Sequence, residues 1–222
     1  MRFKNRTQAG QGLADLLVRS GLPAGPGVVV GLPRGGLPVA LEVSRRLGWP
    51  LDIVVARKIG APEQPELGIG AITASGKRVL NEEALRWCLL PPGYLLHESE
   101  RQRRRAQDLE RQLRTALPPI SLEGKPVILV DDGIATGMTV RAALLDVLAR
   151  GARERIVASP VIPPETRDML AREADRVLAL QIPRPFQAVG WFYDDFAQVN
   201  DEEAVRILAG SQVPPAPERG GT

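Results

Sequence analysis

The chain has 222 residues, 44% hydrophobic and 4% aromatic, with a formal net charge of +3. That composition suits one α/β domain with an aliphatic core, and the small basic excess fits an anionic small molecule without demanding nucleic acid. The single cysteine, Cys88, and single histidine, His97, exclude an intrachain disulfide and a zinc cluster built from Cys and His.

Residues 7–20 carry Leu13, Leu16, Leu17 and Val18 at helical spacing and read as a short amphipathic helix, ended by the Gly/Pro-rich stretch 21–27. Val28–Val30 is a continuous apolar run, as expected of a strand buried on both faces. The loop Gly31-Leu32-Pro33-Arg34-Gly35-Gly36 follows, then a helix over 37–47 and a second buried strand over 51–56, which makes a βαβ unit. Residues 57–68, with Arg57, Lys58, Glu63 and Glu66 among glycines and prolines, read as a mobile loop. Residues 69–73 and 78–80 form a small hairpin around Ser75-Gly76.

Two helices are expected over 82–90 and 93–117, separated by Pro91-Pro92-Gly93, and together they make a helical insertion over 82–120. The second carries Ala106, Leu109 and Leu113 on an apolar face. Its stretch Glu98–Arg114 mixes six arginines with four acids and reads as a solvated helix face, with a lid or dimer arm as the other reading. The acids interrupt the basic run and no aromatic interleaves, which argues against a nucleic-acid patch. Strands then follow at 126–130, 156–159, 177–180 and 189–193, with helices over 139–150, 165–173 and 201–209. Residues 1–210 are expected to form one domain, with 181–200 as a small hood and 211–222 as a disordered tail. Cys88 reads as buried and inert, and His97 takes no role. No apolar signal core and no membrane-length run is present, so a cytoplasmic protein is expected.

Strands alternating with helices give a doubly wound, mainly parallel sheet with helices on both faces. Ligands of such sheets sit beyond the carboxyl ends of the strands. Two loops, 31–36 and 131–139, lie at such ends and can face one ligand together.

The second loop is the more informative: Val127-Ile128-Leu129-Val130-Asp131-Asp132-Gly133-Ile134-Ala135-Thr136-Gly137-Met138-Thr139. An apolar strand delivers two adjacent carboxylates, and a turn then opens a helix whose free N–H groups and dipole favour a phosphate. Thr136 and Thr139 add hydroxyl donors, and Gly137 permits close approach. The acids accept from vicinal hydroxyls, directly or through Mg²⁺. Together these describe a ribose 5-phosphate.

This stretch resembles the phosphoribosyl pyrophosphate (PRPP) motif of type I phosphoribosyltransferases. The resemblance implies that Asp131 and Asp132 hold the ribose hydroxyls, and Mg²⁺ largely through substrate and water. It implies that the turn Ala135, Thr136, Gly137, Met138 and Thr139 binds the 5-phosphate, with Gly133 and Ile134 in the same ribose 5-phosphate stretch. Leu32-Pro33-Arg34-Gly35-Gly36 is similar to the family's pyrophosphate loop, and Arg57-Lys58 to its basic lid. Pro33, Arg34, Gly35, Gly36, Arg57 and Lys58 are therefore assigned to pyrophosphate, with Arg34, Lys58, Asp131 and Asp132 carrying catalysis.

The segment Phe186–Phe196 resembles the hood of the purine enzymes and assigns Val189, Trp191, Phe192 and Asp194 to an acceptor base. Ala135 stands where 6-oxopurine enzymes carry an acid, and the Ala-Thr-Gly turn is closer to adenine- and uracil-type enzymes. The function implied is transfer of 5-phosphoribosyl from PRPP to a nitrogenous acceptor, a nucleobase above all, by a homodimer. A non-catalytic PRPP or nucleotide sensor is the alternative, and a PRPP hydrolase a further one. No nucleic-acid or membrane partner is expected.

Overall fold

A computed structural model of the protein describes residues 2–23, 25–65 and 67–211. Glu66 of the expected mobile loop and the expected disordered tail beyond Ser211 lie outside the described residues. Ser211 itself is buried and donates to the Leu208 carbonyl.

Five strands, β1 (Val28–Gly31), β2 (Leu51–Ile53), β6 (Pro126–Val130), β7 (Glu154–Val161) and β8 (Arg176–Gln181), form one sheet in the order β2-β1-β6-β7-β8. Every pairing in it is parallel. Side chains alternate across the pleat and feed two cores. Val29, Ile128 and Val130 pack with Leu13, Leu17, Leu37 and Val43, from α1 (Arg6–Arg19) and α2 (Gly36–Leu47). Val28, Val30, Val127 and Leu129 pack with Val140, Leu144 and Val147 of α5 (Met138–Ala149) and Leu170 of α6 (Pro164–Leu170). The doubly wound α/β sheet, covered on both faces, is therefore the observed fold, and unbroken aliphatic runs such as Val28–Val30 are what double burial requires.

A second, antiparallel sheet runs β3 (Ala56–Gly60), β4 (Gly68–Thr73), β5 (Arg78–Leu80). This corrects two expectations. The strand expected over 51–56 ends at Ile53, and residues 57–60 are strand, not loop. The chain leaves the parallel sheet at Val54-Val55 and pairs with β4, burying Ile59 against Ile69 and Ile72. Arg57 and Lys58 thus sit on a strand, and the connection to β4 begins only after Gly60.

The insertion forms α3 (Glu82–Trp87) and α4 (Tyr94–Arg114). Arg101, Arg104, Arg105, Asp108 and Arg111 are exposed, as a solvated face requires, and Ala106 and Leu113 of the apolar side are buried; the departures are Glu98, Ser99 and Gln102, which are buried as well. Ala106 and Leu113 enter the core shared with α1 and α2, and α7 (Asp201–Ala209) adds Ala204 and Leu208 to it. Glu98 is buried because Arg101 and Gln102 on its own helix satisfy it. Cys88 is half-buried and not fully enclosed.

The strand expected over 189–193 is instead a 3₁₀ helix, Val189–Phe192, followed by an isolated bridge from Tyr193 to Phe3. Gly190 lies against the Phe196 ring, and the segment turns back over the sheet without joining it.

Candidate functional site

The strand order reverses between β1 and β6: the chain steps from β1 outward to β2, but from β6 outward to β7 and β8. Gly31 pairs with Val130 at this switch point, and the Leu32 N–H donates to the Val130 carbonyl at 3.0 Å. The two loops therefore emerge side by side, where ligands of open parallel sheets bind.

They also interlock. A Cβ on Gly35 would lie 2.3 Å from Asp132 Oδ2. One on Gly36 would lie 2.8 Å from the Val130 carbonyl oxygen and 3.0 Å from Asp131 Oδ1. No side chain fits at either position without displacing an acid, so Gly35-Gly36 and Asp131-Asp132 form one surface. The Pro33–Arg34 peptide that leads into it is cis.

Asp131 and Asp132 differ in their partners. Asp132 is buried, and Arg6 Nε donates to its Oδ2 at 2.7 Å. Arg6 is itself held by the Ala197 carbonyl at 2.6 Å and lies 3.9 Å from the centre of the Phe196 ring. The Tyr193 hydroxyl donates to the Asp132 carbonyl at 2.6 Å. The Asp131 side chain instead accepts from a backbone group, the Asp132 N–H, at 2.9 Å from its Oδ1. Burial, then the charge on Asp132, pushes the Asp131 carboxyl well above the usual range. Burial also raises Asp132, with Arg6 pulling the other way.

The raised Asp131 has a sign that can be tested. Its ionised form is disfavoured in the folded state, so stability falls as pH climbs from the unfolded value of about 3.9 through the folded one. Asp131→Asn removes that penalty. The variant is expected to melt about 2–4 °C higher than the parent at pH 7, with the gain vanishing below pH 4. Calorimetric melting across pH checks this, and a variant less stable at pH 7 contradicts the assigned environment.

After the acids, Gly133 meets the hood. A Cβ there would lie 2.2 Å from Val189 Cγ1 and 3.0 Å from Val161 Cγ1. Gly133→Ala is therefore expected to destabilise by about 1–3 kcal/mol through overpacking. Adding Val189→Ala should recover most of it in a denaturant titration, and the absence of rescue would place the strain elsewhere. The Ile134 N–H is bound to the Val161 carbonyl at 2.9 Å, and Thr166 Oγ1 donates to the Ala135 carbonyl at 2.6 Å, which fixes the turn. Gly137 then opens α5 with φ of 73°, and with no side-chain cap its first-turn N–H groups can serve an anion. Thr136 and Ala135 are exposed and Thr139 half-buried, all on this turn, while Met138 is buried.

The residues expected to meet pyrophosphate lie around the same end. Pro33 is half-buried. The Arg34 guanidinium does not face the acids: Nη1 is paired with Asp201 Oδ1 at 2.8 Å. Arg57 Nε donates to Gln102 Oε1 of α4 at 3.1 Å, and Lys58 is its neighbour on β3. In the hood, Trp191 is 65% exposed, enough to offer a ring face, while Phe192 stacks on Phe186 at 5.7 Å. Asp194 pairs with Arg2 at 3.1 Å on the surface.

Arg6 and Tyr193 are the residues that sequence reasoning missed. Arg6 reaches Asp132 across 126 positions, and no local pattern marks it. Tyr193 lies inside the hood motif, where its surroundings read as strand.

The acids offer hard oxygen ligands of the kind Mg²⁺ takes, and a cation there would offset their repulsion. Among the described residues no group of three or more His, Cys, Asp or Glu side chains converges on a metal. The pair fits a Mg²⁺ whose other ligands come from substrate and water. No helix among the described residues is long and apolar enough to cross a membrane.

The chain matches the family model of the phosphoribosyl transferase domain over residues 2–194. It is 41% identical over 206 residues to a Mycobacterium tuberculosis protein named "Putative phosphoribosyl transferase Rv0571c". That alignment takes 93% of this chain and 46% of the relative, so the chain spans about half the relative's length. A shorter stretch of 65 residues, 29% of this chain and 38% of the relative, is 34% identical to "Bifunctional protein PyrR" of Streptococcus thermophilus. Among solved structures, TT1426 from Thermus thermophilus is 45% identical with a TM-score of 0.78, covering 95% of this chain and 99% of that one.

Proposed function

The chain belongs to the phosphoribosyl transferase family, and from that premise we propose that it transfers the 5-phosphoribosyl group of PRPP to a nitrogenous acceptor of the nucleobase class, releasing pyrophosphate. The observation that carries this reading is the interlock of Gly35-Gly36 with Asp131-Asp132 at the sheet's switch point. A glycine loop and two carboxylates on one surface support a site that takes phosphate beside ribose hydroxyls.

In the reaction the bond from ribose C1 to a pyrophosphate oxygen breaks and a bond from C1 to the acceptor nitrogen forms. The nitrogen loses its proton to the leaving pyrophosphate or to water. Asp131 and Asp132 accept from the ribose hydroxyls. Thr136, Thr139 and the backbone N–H groups of the Ala135–Thr139 turn, opening α5, hold the 5-phosphate. The Gly35 amide, with Arg34, Arg57 and Lys58, balances the charge that develops on the leaving pyrophosphate, while the Gly36 N–H donates to the Leu32 carbonyl and shapes the loop. Pinning the ribose at both ends keeps C1 in line with the acceptor. Mg²⁺, when bound with PRPP, would supply further charge neutralisation at the acids' side. Trp191, exposed in the hood, is the ring best suited to stack on the acceptor, with Val189 and Phe192 beside it and Asp194 at the rim.

A sensor that binds PRPP without turnover is the second reading. Two observations favour it: Arg34 is held by Asp201, and Ala135 leaves the turn without an acid to take the acceptor's proton. The two readings separate in one assay. The protein, Mg²⁺ and PRPP are incubated with adenine, hypoxanthine, guanine, xanthine, uracil, orotate or no acceptor, and pyrophosphate is followed. Release with one base is expected and names the acceptor. Release with none added would make the protein a hydrolase. Binding of PRPP without release under any acceptor would make it a sensor.

A further inference from the structure

We propose that Arg6 is a positioning residue of the candidate site, whose guanidinium aims the Asp132 carboxylate at the ribose hydroxyls. The proposal deepens the transferase reading and rests on it for the role of Asp132.

Arg6 sits where helix physics alone would not put it. It is the first residue of α1, and the first turn of that helix holds no acid. A cation there opposes the positive end of the helix dipole. It is also drawn out of water, since the Arg6 and Asp132 side chains are 11% and 12% exposed. Burying an ion pair costs the desolvation of both charges, and apolar residues of similar volume often stabilise a fold as well or better. Local rules are broken in this way at functional sites.

The guanidinium is fixed at three points. Nε donates to Asp132 Oδ2 at 2.7 Å, Nη1 donates to the Ala197 carbonyl at 2.6 Å, and the Phe196 ring centre lies 3.9 Å from the guanidinium carbon. A planar fork can serve two acceptors while its face covers a ring, which an ammonium cannot do. The segment that delivers Arg6 is fixed as well. The Phe3 N–H donates to the Phe192 carbonyl at 2.8 Å, the Asp194 N–H to the Phe3 carbonyl at 2.8 Å, and the Asp195 N–H to the Lys4 carbonyl at 3.0 Å. The Phe3 ring packs 5.4 Å from that of Tyr193.

On Asp132 the effect is directional. Its Oδ2 is flanked by Arg6 Nε and by Gly35, where a Cβ would collide with it. The Tyr193 hydroxyl grips the backbone carbonyl of the same residue at 2.6 Å. A carboxylate with one oxygen bound and its backbone held is oriented before the ligand arrives. Asp131 is set by a different device, the Asp132 N–H on its Oδ1.

The test is a double-mutant cycle read by calorimetric titration of the full chain with ribose 5-phosphate. Arg6→Gln removes the charge, and Arg6→Lys keeps the charge without the fork. Affinity should fall about 10–100-fold in Arg6→Gln and by less in Arg6→Lys. In an Asp132→Asn chain the same two substitutions should cause no further loss, because the carboxylate they act through is already gone. Arg6→Lys leaves a cation beside Asp132 and closes the cycle if Arg6→Gln alone fails to fold. A role in folding only would lower the melting temperature at parent-like affinity, or give the same loss in both backgrounds. Either result overturns the positioning role and leaves the transferase reading intact. Arg6-dependent binding in a chain that releases no pyrophosphate with any acceptor upholds the role and overturns the transfer. A parent that binds neither ribose 5-phosphate nor PRPP overturns both.

Discussion

Replacing Asp131 and Asp132 together by asparagine is expected to lower PRPP affinity by about 10²–10⁴-fold while leaving the fold intact. Each carboxylate can accept a charge-assisted hydrogen bond from a ribose hydroxyl, and bonds to charged groups contribute about 1.5–3 kcal/mol apiece. Asparagine keeps the shape and one acceptor but removes the charge that also favours Mg²⁺. The fold should survive because neither acid holds the sheet together. Asp131 gains stability on losing its charge, and Tyr193 grips Asp132 through its backbone carbonyl, which the substitution keeps. The cost falls on Arg6, which loses its ionised partner but retains the Ala197 carbonyl and the Phe196 ring. Isothermal titration with Mg²⁺ and PRPP, alongside far-ultraviolet circular dichroism, reads both halves. Unchanged affinity in a folded double variant would remove the acids from the site and take the proposed function with them.

A larger loss of stability is expected away from the site. Asp52 on β2 is fully buried, and its carboxylate accepts from Arg114 of α4, from Arg150 at the end of α5 and from the Ile53 N–H. Arg114 also reaches the Ile53 carbonyl at 3.1 Å, and Arg150 the Ile120 carbonyl at 2.9 Å. One acid therefore joins the insertion helix, the edge strand and the far end of α5. Arg114→Leu with Arg150→Leu strands Asp52 without a cation. It is expected to destabilise by about 3–5 kcal/mol, lowering the melting temperature by about 10 °C. Adding Asp52→Leu removes the stranded charge and should restore most of the loss, since an apolar set of similar volume often replaces a buried ion group without penalty. Thermal and urea unfolding of the parent, double and triple variants decide it. A triple variant as unstable as the double would mean that packing and geometry, and not the buried charge, set the cost.

The two ligand loops were legible in the chain because their signals are local. Val28–Gly36 and Pro126–Thr139 each place an apolar run before glycines, and in the second before two acids and a helix start. A doubly buried strand needs nothing but aliphatic residues, and a phosphate turn needs backbone freedom at fixed offsets, so composition over a dozen positions suffices. The parallel α/β class followed from the same runs. Boundaries failed where pairing partners decide the outcome. Nothing between Leu51 and Gly60 marks Val54-Val55 as the point where the chain leaves one sheet for another, because both halves are strand by pattern. The run Val189–Tyr193 has the composition of a strand, yet among the described residues its one β-bridge is from Tyr193 to Phe3.

Local pattern thus specified the pair of loops, the residues in them and the sheet that carries them. Tertiary structure alone decided which side chains meet. It brought Gly31 beside Val130, seated Arg6 on Asp132, turned Arg34 toward Asp201, and folded α4 over β3 so that Gln102 holds Arg57. These contacts join residues 45 to 167 positions apart or depend on strand order. Such contacts are set by topology and burial, and no short-range periodicity encodes them.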